Sequence, residues 1–225
     1  MNILLEGRGV VLRGVVVCAA ILVLRVAGAG QAVPTAEAVL AGLKEGNAHH
    51  AEHKYKHPHE TSERMKELAG GQHPEAEVLS CADSRVPPEL LFDRGLGDLF
   101  VVRVAGNIAG DTEIASLEYG AEHLHIPLLV VLGHESCGAV TAAVEGGEPE
   151  GHLSSLIDRI KPAVDKTKSV PGDRVHNAVE ENVRMVVDRL RTTTPILSEL
   201  VKKGKLKIVG GVYSLETGKV RWLKD

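Results

Sequence analysis

The 225-residue sequence has little aromatic content: one Trp, three Tyr and two Phe make up 3% of a chain that is 44% hydrophobic. Its core must therefore be built mainly from Val, Leu, Ile and Ala. A basic excess is missing as well. The net charge is −4, and residues 1–32, with Arg8, Arg13 and Arg25 against Glu6, hold a local balance of +2, which leaves the rest at −6. No Lys/Arg stripe is present to neutralise phosphates, so nucleic acid is excluded as the expected partner. Long apolar runs are lacking too. A bilayer span needs about 20 residues, and the run at residues 15–24 has half that, so no permanent membrane anchor is expected. Cysteine is scarce, occurring only at Cys18, Cys81 and Cys137.

The basic Arg8 and Arg13 precede that apolar run, and the small residues Ala27-Gly28-Ala29 and Gly30-Gln31-Ala32 follow it. This order reads as a secretory signal peptide over residues 1–32, so an exported chain, periplasmic or secreted, is expected to begin near Val33. Cys18 fits the run as a small apolar filler. Two cysteines then remain, and in an oxidising compartment composition alone would pair them as a disulfide.

Residues 33–70 read as an N-terminal helical arm. Thr35 caps a helix expected over 35–47, with Val39, Leu40 and Leu43 at helical spacing and Gly46-Asn47 as its stop. The polar stretch that follows, broken at Pro58, suggests short helices and holds five of the eleven histidines. Over 71–225 the pattern changes to short aliphatic runs alternating with helical segments. Runs at 78–79, 99–104 and 128–132 read as buried parallel strands. Helices are expected at 111–125, capped by Asp111 or Thr112, and at 137–144, 153–164, 175–190 and 196–203. A closing hairpin around Glu216-Thr217-Gly218 joins runs at 206–212 and 219–223. The alternation implies an α/β fold: four parallel strands plus an antiparallel edge strand, flanked by helices, forming one domain together with the arm.

Two motifs fall where strands run out: Cys81-Ala82-Asp83-Ser84-Arg85 and His134-Glu135-Ser136-Cys137. In a parallel sheet, ligands bind outside the carboxyl ends of strands, so the fold brings the two motifs to one place. Two thiolates and an imidazole suit Zn²⁺ and leave a fourth tetrahedral position open, as in a catalytic site. A bound zinc lowers the pKa of its water to about 7 and makes hydroxide available as a nucleophile. Asp83 is placed to accept a hydrogen bond from that hydroxide, and Arg85 to hold Asp83 ionised and oriented. Asp83 could instead move onto the metal as a fourth ligand and close the site. A disulfide between the two cysteines stays open, although it has no use for these polar neighbours.

The pattern resembles the β-class carbonic anhydrases, whose Cys-x-Asp-Ser-Arg and Gly-His-x-x-Cys-Gly signatures match Cys81 through Arg85 and Gly133 through Gly138. Val101-Val102-Arg103-Val104-Ala105-Gly106-Asn107 and the stretch from Glu118-Tyr119-Gly120 to Leu132 are similar to family segments as well, with Gly120 and Ala121 in place of a commoner Ala and a larger aliphatic residue. The resemblance covers the chain from about Thr35 onward. It implies reversible hydration of CO₂ to bicarbonate and a proton, with zinc on Cys81, His134 and Cys137 and a catalytic dyad of Asp83 and Arg85. Gln72 would reach the substrate pocket, usually the partner subunit's, and Gly138 would offer its N–H to the bound anion, so a homodimer or homotetramer is expected. The bicarbonate-regulated branch carries Trp and Gly where this chain has Val78 and Ser80, which favours the open-site, plant-like branch.

Two further readings stand beside this one. COS or CS₂ hydrolysis could use the same zinc cradle, and a zinc-binding or disulfide-stapled exported protein would need no turnover. His49, His53 and His57 fall at helical spacing with His50 and His59 beside them, a solvated helix face or a proton-relay or zinc-loading patch if the arm is one continuous helix.

Overall fold

The computed structural model describes residues 34–224, and the leader expected at residues 1–32 lies outside the described residues. Helix α1 (Ala36–Ala51) begins where expected, with the Thr35 hydroxyl accepting from the Ala38 N–H at 3.2 Å. It does not stop at Gly46-Asn47. Gly46 is a close-approach residue, since a Cβ there would lie 1.8 Å from the Phe92 carbonyl oxygen. Asn47 is buried, and its amide donates to the Leu91 and Gly218 carbonyls at 3.0 Å each while its oxygen accepts from the Val220 N–H at 2.8 Å. Two residues that look like a helix terminator therefore serve tertiary packing instead.

Beyond α1 the backbone turns sharply, with His53, His57 and His59 all at positive φ, so His49, His53 and His57 do not share a helix face. The histidines disperse into local pairs. His49 meets Asp93 at 3.1 Å, His57 meets Glu60 at 3.2 Å and His59 meets Asp98 at 2.6 Å, while His50 lies between the Tyr213 and Tyr55 hydroxyls. Of the short helices expected in the arm, the one after Pro58 is α2 (Ser62–Leu68), capped by Thr61.

The α/β core follows as strand β1 (Ala76–Ser80), helix α3 (Pro88–Leu91), strand β2 (Leu99–Arg103), helix α4 (Asp111–His123) and strand β3 (Leu128–His134). Helices α5 (Gly138–Glu145), α6 (Ser154–Thr167), α7 (Arg174–Thr192) and α8 (Ile196–Lys202) come next, then strands β4 (Lys207–Tyr213) and β5 (Val220–Trp222). The single-turn α3, with Pro88 in its first position, is absent from the periodicity because four residues are too few to show one. Gly110, rather than Asp111 or Thr112, occupies the α4 cap position.

The sheet runs β2-β1-β3-β4-β5, with the first four strands parallel and β5 antiparallel to β4. Every residue of β1 and β3 is buried, which explains the apolar runs at 78–79 and 128–132, although β1 also buries Glu77 and Ser80. Helix α7 is amphipathic, and its Ala178, Val179, Val183, Val186 and Leu190 face the core. The chain passes from β1 outward to β2 on one side, then returns to place β3 on the other. That reversal opens a crevice beyond the carboxyl ends of β1 and β3, where Cys81 and His134 stand.

Asn47→Ala removes the three-way clamp between α1, α3 and the closing hairpin. The expected loss is about 2–4 kcal/mol, because two carbonyls and one N–H become unpaired, two of the three bonds being fully buried. Urea unfolding of the variant beside the parent chain measures it, and a difference under about 0.5 kcal/mol contradicts the clamp.

Candidate metal centre

β1 delivers Cys81 one residue past its end, β3 delivers His134 as its last residue, and a short turn carries Cys137 to the cap position of α5. The adjacent parallel pairing of β1 and β3 sets Ser80 beside Leu132, so two motifs 53 residues apart in sequence start from one level of the sheet. Cys81, His134 and Cys137 are buried, and their ligand atoms all lie within 4.8 Å of one another.

Both cysteines are free thiols, with Sγ atoms 4.0 Å apart. A disulfide needs about 2.05 Å, whereas two Zn–S bonds of about 2.3 Å at a tetrahedral angle set sulfurs roughly 3.8 Å apart. The spacing is too long for a disulfide and fits two sulfurs on one cation. The His134 ring agrees: Nδ1 donates to the Glu135 carbonyl at 2.9 Å, which leaves Nε2 as the lone-pair nitrogen, and this buried Nε2 has no hydrogen-bond partner among the described residues. A buried nitrogen aimed at two thiols and otherwise unpaired fits a metal ligand.

The electrostatics of the thiol pair point the same way. The hydrogen bond shared with Cys137 pulls the Cys81 pKa down to about 4 against the effect of burial, helped by His134, the Asp83 N–H and the Gly106 N–H at 3.3 Å from Cys81 Sγ. Cys137 is pushed up, first by its hydrogen bond to Cys81 and then by burial, against the opposing pull of the Val140 and Ala139 amides at the start of α5. Two thiolates this close in a buried pocket repel, so full ionisation needs a cation between them.

Asp83 sits at the edge of the group, with Oδ2 3.9 Å from His134 Nε2. Arg85 grips it in a bidentate pair, Nε to Oδ1 at 2.9 Å and Nη2 to Oδ2 at 2.7 Å, and the Arg85 backbone N–H adds a third bond at 2.9 Å. These bonds, those from the guanidinium above all, hold the Asp83 carboxyl well below the usual carboxylate range. Arg85 also lies 3.5 Å from the Ser136 carbonyl, so it spans both motif loops.

Three contributors lie outside the two motifs. Arg103, at the end of β2, donates through Nε to the Cys81 carbonyl at 3.0 Å and through Nη2 to the Asp83 carbonyl. Gly106 adopts φ +73° to aim its N–H at Cys81, and the buried Asn182 of α7 holds the Gly106 carbonyl at 2.9 Å. Signals for two of them exist in sequence. Arg103 ends an otherwise apolar strand, and Asn182 interrupts the apolar face of a helix. Gln72 is not brought to this group; it lines a separate surface hollow with Leu68, Gly71 and Gly97. Gly138 lies exposed at the start of α5, next to Cys137, with open space over its α carbon.

A sequence profile described as carbonic anhydrase matches residues 76–220. The chain belongs to the carbonic anhydrase family. It is 39% identical over 181 residues to carbonic anhydrase 2 of Mycobacterium tuberculosis, covering 79% of this chain and 87% of that protein. A tetrameric β-carbonic anhydrase from Sordaria macrospora superposes with a TM-score of 0.66 at 26% identity, covering 84% of this chain and 98% of that one. A Coccomyxa β-carbonic anhydrase in complex with acetazolamide gives 0.64 at 32% identity, covering 70% and 75%. The β class is thereby shown, and this carbonic anhydrase catalyses reversible CO₂ hydration.

Arg103→Met keeps the aliphatic stem but frees the two carbonyls that position Cys81 and Asp83. Zinc affinity is expected to fall about 10- to 100-fold in competition with a chromophoric chelator, the range typical of outer-shell supports. Unchanged affinity would mean that the loop holds its shape without the brace.

Proposed function

We propose that Cys81, His134 and Cys137 hold a zinc ion through two sulfurs and Nε2, with the Asp83 and Arg85 pair as the catalytic dyad of CO₂ hydration. The unpaired Nε2 of His134 facing two thiols 4.0 Å apart carries this reading. Zinc bound in such a set acts as a Lewis acid that brings the pKa of water to about 7. Asp83, fixed by Arg85, accepts a hydrogen of the reacting water and so turns an oxygen lone pair toward the carbon of CO₂. The Gly138 N–H, at the positive end of α5, offers a donor to an oxygen of the product anion. Asp83 has both oxygens engaged by Arg85 and stands 3.9 Å from Nε2, which supports an open site of the plant-like branch. Val78 and Ser80, each fully buried, stand where the regulated branch carries Trp and Gly.

The exposed Gln72, apart from its own chain's metal group, supports a homodimer or homotetramer in which it serves the pocket of the neighbouring subunit. The order of basic, apolar and small residues over 1–32 supports export, with the arm of residues 33–70 and the core of 71–225 acting as one domain after the leader is removed. Among the described residues no helix is long and apolar enough to cross a membrane.

Metal analysis and stopped-flow CO₂ hydration on the purified protein test the site. About one zinc per chain is expected, and Asp83→Asn should lower kcat by about 10²–10⁴ with zinc retained. A zinc-free protein, full turnover in the variant, or a crystal structure near neutral pH with Asp83 on the metal each contradicts part of the proposal. For export, mass spectrometry of the protein recovered outside the cytoplasm should find the chain beginning near Val33; an intact residue 1–32 segment in every recovered chain overturns that reading.

A further inference from the structure

Glu77 is the second residue of β1, four positions before Cys81, and none of its surface reaches solvent. Neither carboxyl oxygen has a hydrogen-bond partner among the described residues. Its neighbours are apolar: Phe100 of β2 and Leu129 of β3 lie beside it in register, and α4 closes over it at Gly120. A Cβ on Gly120 would stand 2.4 Å from Glu77 Oε2, 3.2 Å from Ile126 Cδ1 and 3.3 Å from Phe100 Cδ1. The carboxyl group therefore occupies a notch that exists because residue 120 has no side chain.

Among the described residues no charged group faces this notch. Phe100, Leu129, Gly120 and Ile126 do not titrate, and the titratable residues flanking Gly120 on α4, which are Glu118, Tyr119, Glu122 and His123, neither hydrogen-bond to Glu77 nor act on it electrostatically. Burial alone moves the group, and it moves it well above the usual carboxylate range. A carboxylate here would lose its hydration and gain no cation or donor in return. Glu77 is neutral in the folded chain at pH values where the unfolded chain has released that proton, so folding takes up a proton at this position.

We propose that Glu77 is an acid-favouring latch: α4 and β2 stay seated on β1 while its carboxyl carries a proton, and rising pH loosens the strand that leads to Cys81. The consequence reaches the metal centre because β2 ends in Arg103, the residue that holds the Cys81 and Asp83 carbonyls. The sign follows from the two states. The folded group binds its proton more tightly than the unfolded one, so the contribution to stability is whole below about pH 4 and declines as pH rises. The decline is about tenfold in the folding equilibrium for each pH unit until the folded group itself ionises. Protons released by CO₂ hydration act in the stabilising direction.

The test is equilibrium urea unfolding of the full zinc-loaded chain, followed by Trp222 fluorescence from about pH 5 to 8, with Glu77→Gln and Glu77→Val beside the parent. The ratio of the parent's unfolding constant to that of each variant should rise about tenfold per pH unit over part of that range. Glu77→Gln keeps the shape without the titration, so the result does not depend on how Val packs. Gly120→Ala should lower the urea midpoint of the parent and leave that of the Glu77→Val chain nearly unchanged. A pH-independent ratio for both variants, or Gly120→Ala equally damaging in both backgrounds, overturns the latch.

Discussion

Two thiols held 4.0 Å apart in a buried pocket, with a histidine nitrogen turned toward them, form the arrangement on which the rest of this structure depends. Without a cation, the pair can release one proton readily and the second only against its neighbour's charge. The protein builds this tension from the parallel pairing of β1 and β3, since adjacent strand ends are where chain reversal leaves a crevice. A slip of one residue in either strand would turn its whole side-chain set to the opposite face, so the buried register and the ligand geometry are the same constraint.

Around this centre, support comes from every side of the sheet. Arg85 and Arg103 tie the Cys81 loop to the Cys137 turn and to β2, while Asn182 of α7 fixes Gly106, whose N–H meets Cys81. The Glu135 N–H is held by the Tyr213 carbonyl at 2.9 Å, and the Glu135 carbonyl in turn orients His134. These are mostly backbone groups held by side chains from remote segments. Such bracing holds Cys81, His134 and Cys137 to one arrangement beside Asp83 and Arg85.

Much of this was legible in the chain. The apolar runs gave β1, β2 and β3 to within two residues, because a covered strand is built mainly from apolar residues. That Cys81, His134 and Cys137 gather in one place beside the Asp83–Arg85 pair was legible because both motifs fall at the ends of neighbouring strands. What escaped had tertiary causes. Gly46 and Asn47 look like a helix end, yet the glycine admits the Phe92 carbonyl and the asparagine clamps the hairpin. The histidines of the arm have helical spacing, but the backbone leaves the helix before His53. Gly120 and Glu77 are unremarkable singly and acquire meaning only as a carboxyl group filling an absent side chain's space.

The sequence by itself determined the alternation of strands and helices, the aliphatic core and the ligand types, because periodicity and donor chemistry are local properties. It also carried the family signature in two short motifs. Tertiary structure decided how close the two thiols stand, which histidine nitrogen faces them, that Arg103 and Asn182 brace their loops, and that Glu77 finds no hydrogen-bond partner among the described residues. Those depend on distance and burial, which arise only when segments far apart in the chain exclude water from the same small volume.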